Sequence, residues 1–297
     1  MNPFSFQYGN SAELANLPHV REFVLRKNST VKFDTFPLVT SNTLRLYYIL
    51  DGKFEWLIDG KPFVLFPGDV AVVLPGQAIG GAMGFLDIGS LVWLHLEADV
   101  RENAGIILDK WSNLSQCDQH DIGKILLTND VKVLKMGEAL NIFQQLNSEI
   151  TDQELGYLTR VNHLIDSLLI LVARQSKLQA PERRDPPELV LQLEQVLRSN
   201  LAYQWTVEEM AALFGLGTTA FTEKVKRCTG FSPLNYLIKI RISETIQKLK
   251  RTSANVTDIA LETGFYSSQH FSTTFKKFTG YTPGEFRRRN AENVLKC

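Results

Sequence analysis

At 297 residues, 44% hydrophobic and 22% charged, the chain is long enough for two domains of ordinary size and has the composition of a globular protein. Its formal net charge of zero is divided unevenly: residues 188–297 carry 15 Lys and Arg against 10 Asp and Glu, and residues 1–187 carry 17 against 22. Only the C-terminal part is therefore suited to a polyanion. The three scattered cysteines, Cys117, Cys228 and Cys297, exclude a disulfide framework and a C-x-x-C site and point to a reducing compartment.

In chain order, the opening MNPFSFQYGNSAEL has no basic stretch followed by an apolar one. The longest apolar run, LLILVA at 168–173, is too short to span a bilayer. We therefore expect a cytoplasmic chain without membrane contact. From 44 to 98 the segments TLRLYYIL, KFEWLI, KPFVLF, DVAVVL and SLVWLHL read as short strands. Asp51-Gly52 and Asp59-Gly60 are dipeptides suited to type I′ hairpins, and FPGD and LPGQ add two Pro-Gly turns. Such closely spaced strands suggest an all-β sandwich or small barrel, with Phe54, Trp56 and Ile58 facing inward.

After 135 the period becomes helical. GEALNIFQQLNSEI and ELGYLTRVNHLIDSLLILVARQ place Leu164, Leu168, Leu171 and Val172 on apolar faces. The second helix is either packed on its own sheet or paired with a second copy, and its nearly all-round apolar character at 168–172 favours the pairing. KLQAPERRDPPE follows, with three prolines, and reads as a linker.

The C-terminal part repeats itself. VKRCTGFSPLNY at 225–236 returns as FKKFTGYTPGEF at 275–286, fifty positions on. Thr206 with Glu209, and more weakly Asn255 with Asp258, mark helix starts, and Gly215 and Gly264 can end those helices. A second helix then opens at Thr218 in one copy and at Ser267 or Ser268 in the other, which is the outline of a helix-turn-helix. Gly230 and Gly280 stop the second helix, and Ser232-Pro233 and Thr282-Pro283 start the next.

The rotation of these helices follows from their apolar residues. Phe271, Phe275 and Phe278 face inward in one copy, and Phe221, Val225 and Cys228 in the other. The outer faces carry Ser268, Gln269, Ser272, Thr273, Lys276 and Lys277, and Thr218, Thr219, Thr222, Glu223, Lys226 and Arg227. Amides, hydroxyls and cations on one face can read base edges and touch phosphates. Between the copies, PLNYLIKIRISETIQKLKR at 233–251 has Leu237, Ile238, Ile242, Ile246 and Leu249 at helical spacing. Its roughly 27 Å could set two reading heads about one 34 Å turn of B-DNA apart.

The doubled unit, ending ALETGFYSSQHFSTTFKKFTGYTPGEFRRR, resembles the DNA-binding domain of AraC-type bacterial transcription regulators over roughly 188–290. The likeness is strongest at Ala260, Gly264, Phe265, Phe271, Phe275, Lys276, Lys277, Gly280, Pro283, Phe286, Arg287 and Arg288. The first unit departs from that pattern at Gly217, Val225 and Glu223, and an intrahelical pair of Glu223 with Lys226 or Arg227 is the simplest account of the last. DGKFEWLIDGKPFVLFPGDVAVVLPGQ is similar to the cupin-type sensor domain of such regulators.

The resemblance implies an α+β chain: a cupin-like β-barrel or jelly roll with a helical pair, then an all-α domain of two helix-turn-helix units joined by a long helix. The corresponding boundaries are 1–134 for effector sensing, 135–176 for dimerisation, 177–187 for the linker and 188–297 for DNA binding. It further implies a homodimer, double-stranded DNA as partner and a small-molecule effector inside the barrel, and it adds RNA polymerase to the candidate partners. Trp56, Tyr48 and Trp93 would suit a sugar or planar metabolite, with Arg45, Gln77 or His95 as polar contacts, although core packing accounts for the same aromatics.

An enzyme of the metal-dependent cupin class would need converging histidines and a carboxylate. The five histidines are His19, His95, His120, His163 and His270, with none in 40–58, so we expect neither a metal nor another cofactor. No nucleophile–base set or phosphate loop is present either. A helical protein-interaction module fused to a cupin-like domain is the alternative.

Overall fold

A computed structural model describes residues 2–30, 35–82, 84–101, 105–108, 111–128, 132–178 and 188–294. The chain divides into two compact units. One comprises Met1–Lys27, Phe36–Gly84 and Gly89–Arg184, and the other Asn28–Thr35, Phe85–Ile88 and Asp185–Cys297.

The strands of the first unit are β1 (Phe4–Gln7), β2 (Val20–Asn28), β3 (Val39–Thr40), β4 (Thr43–Gly52), β5 (Phe54–Ile58), β6 (Lys61–Leu65), β7 (Asp69–Val73), β8 (Ala78–Gly81), β9 (Gly89–Glu97), β10 (Asp99–Arg101) and β11 (Gly105–Ile107). They are followed by α1 (Gln116–Thr128), β12 (Val133–Lys135), α2 (Ala139–Asp152) and α3 (Tyr157–Leu178). One sheet has the order β1-β2-β9-β4-β7-β12, a second β3-β8-β5-β6, and β10 pairs with β11.

The five segments expected as strands all form strands. β1, β2 and α1 went unread: β1 is only four residues long, and in β2 and α1 the apolar residues are interspersed with charge. Strand β4 is buried along nearly its whole length because both faces are covered. Leu44, Leu46 and Tyr48 join a core with Phe143 of α2 and Leu164, Leu168 and Val172 of α3. On the alternate face, Tyr47 meets Trp56 of the second sheet edge-on at 5.3 Å. As expected, Phe54, Trp56 and Ile58 are fully buried.

Asp59 (φ 50°) and Gly60 (φ 75°) make the expected hairpin turn, joining β5 to β6. Asp51-Gly52 does not. These residues lie at the end of β4, pair with Ser90 and Gly89 of β9 beyond an irregularity after Ile49, and lead the chain from one sheet into the other. Gly52 has the positive φ that the dipeptide predicts, at 95°, but no strand returns beside β4 from there.

The apolar stripe of α3 also differs from expectation. Val161, Leu164, Ile165, Leu168, Leu169 and Val172 are buried by this chain's own sheet, α1 and α2. The cover that a small β domain lacked is supplied by α1 and α2. Leu171 and Ile170 are only partly buried. Most of the expected linker falls on residues 179–187, outside the described residues.

The second unit contains α4 (Glu188–Ser199), α5 (Val207–Ala212), α6 (Thr218–Thr229), α7 (Pro233–Arg251), α8 (Val256–Glu262), α9 (Ser268–Thr279) and α10 (Pro283–Val294). Helix α7 packs against α4, α5, α6, α8 and α10. Its buried Tyr236, Leu237, Ile240, Ile242, Ile246 and Leu249 form the axis of the unit. Among the described residues no helix is long and apolar enough to cross a membrane.

Candidate nucleic-acid interface

Two stretches of the second unit are built alike. Thr206 Oγ1 accepts from Glu209 N at 3.2 Å and Thr206 N donates to the Glu209 carboxylate at 2.8 Å, a reciprocal cap that starts α5. Asn255 Oδ1 starts α8 with one bond, from Thr257 N at 3.1 Å. Gly215 (φ 62°) and Gly264 (φ 84°) turn each chain toward its second helix. Helices α6 and α9 then run over 218–229 and 268–279, and end at Gly230 (φ 78°) and Gly280 (φ 79°).

The stops contain a feature that was not read from the sequence. Thr229 and Thr279 are fully buried. Thr279 Oγ1 donates to Phe275 O at 2.8 Å and accepts from Tyr281 N at 3.2 Å, and Thr229 does the same with Val225 O and Phe231 N at 2.8 and 3.2 Å. Each hydroxyl holds the chain on both sides of the glycine. In consequence the inward stripes are Phe221, Val225, Thr229 and Phe271, Phe275, Thr279, while Cys228 and Phe278 are only half-buried. The TG pair in both copies carried the signal.

The caps of the following helices differ. Thr282 forms a second reciprocal cap, with Glu285, whereas Ser232 makes no side-chain cap bond, and Asn235 stands where the acid of such a box would be. Ser267 Oγ accepts from His270 N at 3.1 Å at the start of α9, and Gly217, with no side chain, leaves the start of α6 without such a bond.

Thr218, Thr219, Glu223, Lys226 and Arg227 of α6 are exposed, as are Gln269, Thr273, Lys276 and Lys277 of α9. Thr222, Ser268 and Ser272 are half-buried at the flanks. The expected pairing of Glu223 is not found: its carboxylate has no ion pair or hydrogen bond with Lys226, Arg227 or any other described residue. His270 was missed. It is exposed beside Gln269, with its ring 6.1 Å from that of the exposed Tyr266, and its place one residue along the same outward half of α9 could have revealed it.

In the first unit, the residues expected to contact an effector separate by strand face. Arg45, Trp93 and His95 share a face of the larger sheet, toward Trp56, and Tyr48 lies on the opposite face, packed on Phe143 at 5.7 Å. Arg45 and Trp56 are buried, and Gln77, Trp93 and His95 half-buried. Arg45 donates to Gln77 O at 2.5 Å, and burial depresses its pKa. Arg45 Nε and Trp56 Nε1 have no partner.

Glu22 and Tyr47, not foreseen, complete this face. Glu22 Oε2 lies 3.0 Å from His95 Nδ1 and from Trp93 Nε1, and His95 Nε2 lies 3.1 Å from Tyr47 Oη. Burial alone would raise the pKa of Glu22, but the bonds from His95 and Trp93 prevail and bring it to about 2, so the group is a carboxylate at neutral pH. Burial pushes the Tyr47 phenol up. The strand alternation that named Arg45 would have found Tyr47, two residues on. Glu22 carried no signal without β2. Beside this cluster, a groove of about 590 Å³ is lined by Ser5, Gln7, Glu22, Val24, Arg26 and Trp93 among others. No group of three or more His, Cys, Asp or Glu among the described residues is disposed to hold a metal.

A family model described as a helix-turn-helix domain matches residues 210–289. The chain is 30% identical over 152 residues to the HTH-type transcriptional activator RhaS of Enterobacter sp. (strain 638), covering 49% of this chain and 54% of that one. It is 29% identical over 151 residues to an AraC-like transcription regulator of Streptomyces antibioticus, covering 48% and 49%. It therefore spans about half the length of the curated relatives it matches. A solved AraC-type DNA-binding regulator from Chromobacterium violaceum is 25% identical, with a TM-score of 0.33, over 35% of this chain and 92% of that one. Over residues 210–289, with their two glycine-stopped helix pairs, the chain thus carries a helix-turn-helix domain of the AraC type.

Proposed function

We propose that the protein is a sequence-specific DNA-binding transcription regulator switched by a small organic effector, and not an enzyme. The observation that carries this reading is the repeat of α6 in α9: equal length, the same buried stripe and glycine stop, and an exposed face of short polar and basic side chains. Two such faces on one rigid axis are suited to two stretches of major groove. The names of the relatives, which are transcription regulators, support it.

Both helix pairs act as helix-turn-helix units in this proposal. Thr218, Thr219, Thr222, Glu223, Lys226, Ser268, Gln269, Ser272, Thr273, Lys276 and Lys277 meet double-stranded DNA. The N-terminal region, 1–134, is a cupin-like sensor without metal, 135–176 provides a homodimer contact, and 177–187 links these to 188–297. The effector binds on the face of the larger sheet that carries Glu22, Trp93 and His95. The adjacent groove and the unpartnered donors of Arg45 and Trp56 support that location. The protein acts in the cytoplasm, with RNA polymerase as the further partner.

Genomic footprinting of the tagged full-length protein tests the reading. Enrichment at discrete sites beside promoters is expected. Failure to enrich any DNA, with the protein folded, would transfer the lead to a helical protein-interaction module.

A further inference from the structure

An unpaired carboxylate on a surface that meets DNA repels phosphate and is a repulsive element unless a donor receives it. Glu223 is such a group. It occupies in α6 the position that Thr273 holds in α9, fifty residues on, and both side chains are exposed. Thr219 and Lys226, one turn away on either side, are exposed as well. With no bond to Lys226 or Arg227, Glu223 is left free to accept from outside the protein.

The edges of the bases decide what it can accept from. An ionised carboxylate has only lone pairs to offer. In the major groove guanine presents two acceptors, thymine an acceptor and a methyl group, and adenine an N7 acceptor beside its N6 donor. Cytosine presents its N4 amino group with no acceptor of its own beside it, leaving only the O6 of its paired guanine nearby. It is the donor edge on which a carboxylate meets the fewest opposing lone pairs, since adenine N6 is flanked by its own N7 and by thymine O4.

We propose that Glu223 makes α6 a cytosine reader, accepting from N4, and that it rejects other bases at that position by repulsion. This rests on the proposal that α6 lies in the major groove. Glu223 then has a signature that a phosphate-contacting cation cannot have. Its removal weakens the cognate site and strengthens binding to unrelated DNA, because the same charge attracts at one base and repels elsewhere.

The test is selection from random duplexes by the full-length protein, followed by titration of single-base variants of the selected site. The wild type should select a site with a cytosine column. Glu223→Ala should flatten that column alone, with a loss of roughly 5- to 100-fold at the cognate site, and should bind scrambled DNA more tightly. Glu223→Gln should move the preference toward adenine, which an amide pairs in bidentate fashion. Thr273→Ala, at the equivalent position of α9, should leave the cytosine column intact. Selection of a motif with no column altered by Glu223→Ala, or with an altered column that is not cytosine, would overturn the inference while DNA binding stands. A folded wild type that selects no motif would overturn both.

Discussion

Arg241 of α7 and Gly264 of the α8–α9 turn occupy adjoining space: a Cβ on Gly264 would lie 2.6 Å from Arg241 Nη2 and 2.2 Å from Leu201 O. The buried guanidinium uses that space to donate to Leu201 O at 3.1 Å and Tyr203 O at 2.7 Å, ahead of α5. Gln204 Nε2 donates to Gly264 O at 3.0 Å. The approach to the first helix pair, the connecting helix and the turn of the second pair therefore meet at one point.

Gly264→Ala should be strongly destabilising, since it adds a positive-φ penalty to a backbone collision, and a loss above about 2 kcal/mol is expected. Arg241→Met should cost less, about 1–3 kcal/mol, by leaving two carbonyls without their donor. Urea melts of the full-length chain measure both, and a Gly264→Ala protein as stable as wild type would refute the close approach.

The first unit should weaken in acid in two stages. His19 is buried against Trp111, and burial, the largest cause, brings its pKa from 6.5 to about 4. Folding thus favours the neutral ring, so its contribution is complete above pH 6.5 and is lost as pH falls toward 4, on the order of 2–3 kcal/mol. Glu22, lowered from 4.5 to about 2, contributes above pH 4.5 and loses its contribution as pH falls toward 2. Thermal melts followed by Trp fluorescence should show both stages, with the upper one absent in His19→Gln and the lower one absent in Glu22→Gln.

On α9, Gln269→Ala should relax preference at one base pair at a cost of about 1–3 kcal/mol. Lys276→Ala should weaken binding to all sequences alike and lower the salt slope by about one unit. Titration against operator variants at two salt concentrations separates the two effects. Equal behaviour would mean that the outer face is rotated from the one inferred from Phe271 and Phe275.

Leu168→Asp should unfold the first unit rather than split a dimer, by about 3–5 kcal/mol, because Leu168 is fully buried in its own core. Leu171→Asp, on the half-buried side of α3, should instead reduce association with little loss of stability. An unchanged sedimentation coefficient for Leu171→Asp would remove that side of α3 from the proposed dimer.

Local signals were sufficient wherever a structure depends on neighbours in the chain. The Thr206 cap, the glycine stops at 230 and 280, the Asp59-Gly60 turn, the buried face of β5 and the inward turn of Phe271 and Phe275 follow from residue type and spacing, since caps, left-handed turns and periodicity act within a few residues. Tertiary structure alone decided which surfaces are covered. Asp51-Gly52 carried the chemistry of a hairpin and became a passage between sheets, because strand pairing is chosen by partners distant in sequence. The stripe of α3 suited a second copy and was taken by the chain's own sheet, α1 and α2, and Tyr48 left the company of Trp56 because alternation turns adjacent residues to opposite faces. Glu22, His95 and Tyr47 lie more than twenty residues apart in sequence and become neighbours through the order β2-β9-β4 alone. Burial is a property of the assembled chain, and no local window contains it.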